Sequence, residues 1–167
     1  MELSIFIDES GDFGEIAERP SYYLVTMVFH EQRFDIQENI MKLEDSIRMS
    51  GFKEEYIHTG PVIRREQVFS YYSIDERRKL LYKMLNFYNS CNIQHDTVVI
   101  NRKEAVDKLE LSGKIAKGIT EIIKKHQEYF EQFDKIIIYY DNGQIELNSI
   151  LNAVFFGSIW KCGVQKS

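Results

Sequence analysis

Apolar and polar residues alternate from the start of the chain. Leu3, Ile5 and Ile7 alternate with Ser4, Phe6 and Asp8, the period of two expected of a pleated strand with both faces at least partly covered. The apolar run stops at Asp8, and Glu9 and Asp12 then flank the turn pair Ser10-Gly11. After a polar loop over 14–20, the stretch SYYLVTMVFH at 21–30 is rich in strand formers and predicts a second strand, antiparallel to the first. Asp35 reads as an N-cap, and Ile36, Ile40, Leu43 and Ile47 recur at helical spacing until Gly51, predicting a helix with one face on the sheet. Ser73 and Glu76 form a capping box that opens a helix reaching about residue 90 and burying Leu80, Leu81, Met84 and Tyr88.

The second half repeats the alternation of strands and helices. A third strand over 92–100 sets Val98 and Ile100 against Thr97 and Val99 and is expected to become internal, with His95 and Asp96 structural at its start. A helical stretch over about 104–132 carries Ile115, Ile119, Ile122 and Tyr129 on one stripe, interrupted by Gly113 and Gly118, so one helix or two would fit. Its lysines, Lys114, Lys117, Lys124 and Lys125, read most simply as a solvent face, with phosphate contact the alternative. The run KIIIYY at 135–140 is a continuous apolar strand ending at Asp141, and Asn142-Gly143 turns into a helix with Ile145, Leu147, Leu151 and Val154.

This alternation predicts an α/β fold: a mixed sheet in the order 2-1-3-4 with strand 2 antiparallel and helices on both faces. At 167 residues and 44% hydrophobic content, one domain spanning 1–167 is expected. The net charge of −5 excludes a global basic field, so any nucleic-acid site must be local. Cys91 and Cys162 show no metal-ligand spacing, and there is no signal-peptide pattern, so a reduced cytoplasmic compartment is expected. No apolar stretch reaches the roughly 20 residues of a membrane helix.

Chemistry concentrates at two strand ends. If the first and fourth strands are parallel, Asp8 and Asp141 lie on the same sheet edge, where open α/β sheets bind ligands. Oxygen donors alone suit Mg2+ or Mn2+ better than zinc. Like charges brought together there should leave at least one carboxylate with a raised pKa. The alternative is an acidic turn that merely solvates a strand end. The segment 52–74 loses periodicity and mixes Arg64 and Arg65 with Phe69, Tyr71 and Tyr72, a composition that either holds a nucleic-acid strand or tucks onto the core. His58 is either an acid-base or metal group added to the acids or a loop histidine with an ordinary hydrogen bond.

FIDESGDFG at 6–14 and YYDNGQIEL with the following Ile150-Leu151 resemble the two signatures of the domain-of-unknown-function family 3800, a group of bacterial and phage proteins, over nearly the whole chain. The resemblance implies a ribonuclease-H-like fold in which aspartates on strand one and at the end of strand four hold catalytic metal ions. By motif these are Asp8 and Asp141, with Glu9 and Asp12 as neighbours of the first. Family members continue into a further strand and a helix with a Gln-x-Ala-Asp-like motif, whereas this sequence ends at GSIWKCGVQKS with no acid after Glu146. The expectation is therefore either a truncated chain or a last ligand supplied by Glu9, Asp12, Glu146 or a second subunit.

The leading functional expectation is a metal-dependent nuclease acting on RNA or DNA through catalytic Asp8, Asp141, Glu9 and His58, metal ligands Asp8, Asp141 and Asp12, and nucleic-acid contacts from Arg64 and Arg65. The competing expectation is a non-catalytic interaction or regulatory protein of phage or mobile-element origin with a degenerate site. An aspartyl-nucleophile phosphatase fits less well, because such enzymes have a second acid two residues after the first, where this chain has Ser10.

Overall fold

β1 (Glu2–Ser10) is the strand through which the sheet is joined, with a partner on each side. β2 (Tyr22–Glu31) pairs with it antiparallel, setting Ile5 opposite Phe29 and Asp8 opposite Thr26. In the computed structural model, which describes residues 1–11, 13, 22–52, 57–141 and 143–158 and only the backbone of 156–158, the chain divides into two compact units. The first is Met1–Arg33 with Ile93–Ser167, and the second is Phe34–Asn92.

The second unit holds three helices. α1 (Gln37–Met49) has Ile36 and not the expected Asp35 at its N-cap; Asp35, one residue earlier, accepts from the Gln37 amide through Oδ1 at 2.8 Å, and the helix packs on α3 (Ile74–Ser90) without a buried residue of its own. The expected capping box is formed: the Ser73 hydroxyl accepts from the Glu76 amide, and Glu76 Oε2 accepts from the Ser73 amide at 2.7 Å. Of the residues expected to be buried on α3, Leu80 is fully enclosed. The segment expected to be irregular contains α2 (Thr59–Arg64) and a 3₁₀ turn at Gln67–Tyr71. Its Val62 and Phe69 join Phe52 and Leu80 in a small core, while Tyr71 stays exposed.

The first unit contains the sheet. β3 (Gln94–Asn101) pairs antiparallel with β2, and β4 (Lys135–Tyr140) pairs parallel with β1, giving the order β3-β2-β1-β4. The expected directions hold, since only β2 runs against the others, but the expected order 2-1-3-4 is corrected. β3 and β4 form the two ends of the observed order. β4 is a run of isoleucines with Ile136, Ile137 and Ile138 all buried, and it takes the place beside β1. β3 has one fully buried residue, Val98, and an exposed Val99, which suits the edge it occupies rather than the internal place expected.

α4 (Lys108–Lys125) buries Leu111, Ile115, Ile119, Ile122 and Ile123, each contributing about 1.5–3 kcal/mol of transfer free energy. Asp107 caps it, accepting from the Glu110 amide at 2.8 Å, and the short α5 (Gln127–Phe130) follows, so the long helical stretch is divided. α6 (Ile145–Ser158) adds Leu147, Ile150, Leu151, Val154 and Phe155 to the same core. That core takes Leu3, Ile5 and Ile7 from β1 and Tyr23, Val25, Met27 and Phe29 from β2. Strand pleating puts these on one face, and the helices of this unit cover that face. The opposite face carries Ser4, Phe6, Asp8, Leu24, Thr26, Val28, His30, Thr97 and Ile137; Ser4, His30 and Ile137 are buried, whereas Phe6 and Asp8, toward the C-terminal end of β1, are exposed.

Gly118 is where α4 comes closest to the sheet. A Cβ at this position would lie 2.5 Å from Val98 Cγ1, which explains a glycine in the middle of an otherwise regular helix. Gly118→Ala gains up to about 1 kcal/mol of helix propensity but overpacks a stiff β-branched neighbour at a cost of about 1–3 kcal/mol. The expected outcome in urea denaturation is a net loss of stability, largely restored when Val98→Ala is added. A stabilised single variant would contradict the close packing.

Candidate functional site

The parallel register of β1 and β4 sets Ile7 opposite Tyr140, so the next position brings Asp8 beside Asp141 at the shared C-terminal edge, about 4.8 Å apart between strands. Both side chains are exposed. Asp8 Oδ1 accepts from the Glu9 amide at 3.0 Å. Asp141 Oδ1 accepts from the Gly143 amide at 3.0 Å, closing the turn that leads into α6. Each aspartate therefore uses one oxygen to fix its own backbone, and the rest of the carboxylate faces outward.

Glu9 lies on the other side of the pleat, toward the helices. Its Oε1 approaches the turn so closely that a Cβ on Gly143 would sit 2.6 Å away, with Asp141 Oδ1 3.3 Å from the same point. A side chain at 143 would therefore displace the Glu9 carboxylate from its present position. Glu9 Oε2 is buried without a well-formed hydrogen bond among the described residues. Burial raises the Glu9 pKa above its ordinary 4.5, and the charges of Asp141 and Asp8 push the same way, while the Tyr140 hydroxyl and Gln144 partly offset them. A raised carboxylate was expected from charge crowding; the one found is Glu9, and burial is its first cause. Tyr140 is pushed up to about 12, chiefly by burial, with Glu9 and Asp141 adding to the shift.

Gln144 ties the two strand ends together. Its Nε2 donates to the Gly11 carbonyl at 2.8 Å, its Oε1 accepts from the Tyr23 hydroxyl at 3.3 Å, and its amide donates to the Tyr140 hydroxyl at 2.8 Å. Gly11 has φ of 118°, and a Cβ there would meet the Tyr22 carbonyl at 3.0 Å, so the turn after β1 needs glycine for both conformation and space. Tyr140 and Gln144 were not singled out from the sequence. The available signal was the period of two, which places Tyr140 on the same face as Glu9 once strand one and strand four are taken as neighbours.

Asp12 lies outside the described residues. His58, Arg64 and Arg65 belong to the second unit. His58 is exposed and precedes α2, its carbonyl accepting from the Val62 amide at 3.4 Å. Arg64 makes a two-pronged ion pair with Glu66, at 2.8 and 2.9 Å, and Arg65 donates to the Ser70 carbonyl at 3.2 Å. Among the described residues, no group of three or more His, Cys, Asp or Glu is gathered closely enough to hold a metal ion. What the acidic edge offers is two exposed carboxylates side by side with only oxygen donors, a set that fits magnesium, which binds through one or two carboxylates and completes its shell with water and substrate phosphate.

Comparison of the chain with models of known protein families, with curated proteins and with solved structures finds no match.

The Glu9 shift has a defined pH signature. A raised folded-state pKa means that the folded protein binds the proton more tightly than the unfolded chain, so this group's stabilisation is complete below about pH 4.5 and is lost as pH rises through the folded value. Glu9→Gln should therefore melt at a higher temperature than wild type at pH 7, and the difference should shrink as pH falls through the carboxylate range. A difference independent of pH would show that Glu9 carries no burden of burial and repulsion.

Proposed function

We propose that this chain is a metal-dependent phosphodiesterase of nuclease type, acting on RNA or DNA, with a ribonuclease-H-like sheet and membership of the domain-of-unknown-function family 3800. The observation that carries the reading is the placement of Asp8 and Asp141 at adjacent C-terminal ends of two parallel strands. The family-level part is supported by the two motifs and by a sheet in which only the second strand is reversed. Asp8 and Asp141 are the ligands of magnesium or manganese, with Asp12 as the third expected one. The cation, when bound, supplies Lewis-acid stabilisation of phosphoryl oxygens. Glu9, desolvated and in contact range of Tyr140, keeps a proton to higher pH than an ordinary glutamate and is suited to proton transfer at the edge of the site. Arg64 and Arg65 are proposed as contacts that the second unit makes on its own account to a nucleic-acid backbone. Arg64 would have to exchange its Glu66 partner for a phosphate.

A second reading, a non-catalytic interaction protein with a degenerate site, is favoured by one observation: the described residues gather no three-ligand metal group. The readings separate on metal binding, because a protein that does not use a cation gains nothing from retaining a site for one.

Four melting curves test the proposal: wild type and Asp8→Asn, each with and without manganese. Ligand binding to the folded state alone stabilises by about 2.7 kcal/mol at a hundredfold excess over Kd, so wild type should melt several degrees higher with manganese. Asp8→Asn should lose most of that gain, and Asp141→Asn should behave alike. Equal gains in wild type and Asp8→Asn would remove Asp8 from the ligand set and leave the nuclease reading without its main support.

A further inference from the structure

The sheet face left uncovered by α4 and α6 carries an ordered pattern beside the acids. Phe6 and Tyr139, direct partners in the β1–β4 register, stack with ring centroids 4.9 Å apart and planes 14° from parallel. Phe6 is nonetheless 45% exposed. Residues two apart on a strand share a face, so Asp8 follows Phe6, and Asp141 follows Tyr139, about 7 Å further along. The row through Asp8 continues across the sheet to Thr26 and Thr97, whose hydroxyls are 3.0 Å apart. An aromatic row and a row of carboxylates and hydroxyls thus lie side by side, with Phe6, Asp8 and Asp141 exposed and Tyr139, Thr26 and Thr97 half-buried.

We propose that the Phe6–Tyr139 stack is the base platform of the acidic site, so that its substrate is single-stranded nucleic acid, with an unpaired base laid on the rings and the adjoining phosphodiester at Asp8 and Asp141. The inference rests on the phosphodiesterase reading and names its substrate class. The sugar of a nucleotide separates base from phosphate by about one strand repeat, which is the offset between the two rows. Base stacking on aromatic side chains is tolerant of sequence, and it requires a base that is not already paired and stacked in a duplex. Charge argues for the same occupant. An apolar protein side chain would match the rings but leave two carboxylates facing it, whereas carboxylate, divalent cation and phosphate alternate in sign. The Thr26 and Thr97 hydroxyls add neutral hydrogen-bonding groups beside the path of the backbone.

The test is fluorescence anisotropy in calcium with three labelled probes: an oligothymidylate of about eight nucleotides, an abasic strand of equal length and phosphate count, and a duplex of the same length. Wild type should bind the oligothymidylate about tenfold more tightly than the abasic strand or the duplex, the order that stacking of one base supplies. The double variant Phe6→Leu, Tyr139→Leu should lose that preference. Phe6→Trp, which enlarges the ring at an exposed position, should strengthen binding of the oligothymidylate and provides an arm that does not depend on the double variant folding. Equal affinity for thymidylate and abasic strands, a preference for duplex, or an unchanged preference in either variant would overturn the platform. Failure of the metal reading shows separately: base preference would persist while manganese stabilisation is the same in wild type and Asp8→Asn.

Discussion

The parallel pairing of β1 with β4 is the interaction on which the rest depends. It is the contact that brings residues more than 130 positions apart to one sheet edge, with Ile7 beside Tyr140 and therefore Asp8 beside Asp141. The pairing is driven by apolar burial and not by the acids. Leu3, Ile5 and Ile7 on one strand and Ile136, Ile138 and Tyr140 on the other face the same core, and a slip of one residue would turn that whole set away from it. The hydrophobic register thus holds together two carboxylates that would otherwise repel one another.

The surroundings of the acids show how the chain accommodates that repulsion. Asp8 and Asp141 remain exposed, where water screens their charge, and each is oriented by a backbone amide. Glu9 is drawn inward instead, and its proton is held more tightly as a result. Gln144 bridges Gly11 and Tyr23 from the far side of the turn, so neutral hydrogen bonds, not ion pairs, fix the spacing of the strand ends. Glycine is required at 11, where φ is 118° and the Tyr22 carbonyl occupies the space a side chain would take, and a side chain at 143 would push the Glu9 carboxylate aside. The site is therefore built at some expense of local stability, a pattern common where structure serves binding or chemistry.

Much of this was legible in the sequence, and the reasons are specific. The strands announced themselves by alternation or unbroken apolar runs, the α3 boundary by Ser73 and Glu76, and the acidic edge by aspartates at the ends of two buried strands. Strand order was not legible, because neither β2 nor β3 states in its own residues which neighbour it prefers. Two helices in this stretch were indicated by composition but the place of the break was not: the glycines at 113 and 118 lie inside α4, and the break comes at His126, whose ring meets Asp96 of β3 at 2.5 Å. The roles of Tyr140 and Gln144 were hidden for the same reason as the strand order: both residues act on partners more than 120 positions away, Glu9, Gly11 and Tyr23.

The central claim is that the shared end of β1 and β4 is a divalent cation site. The most direct measurement is a manganese titration followed by the backbone amide signals of the isotope-labelled protein, since a bound paramagnetic ion broadens nearby nuclei first. The account predicts that the signals of Asp8, Glu9, Asp141 and Gly143 disappear at substoichiometric manganese while those of Glu2, Glu31 and Lys135, at the other end of the same strands, remain. Broadening that begins around Asp96, or that spreads evenly over the acidic surface, would contradict it.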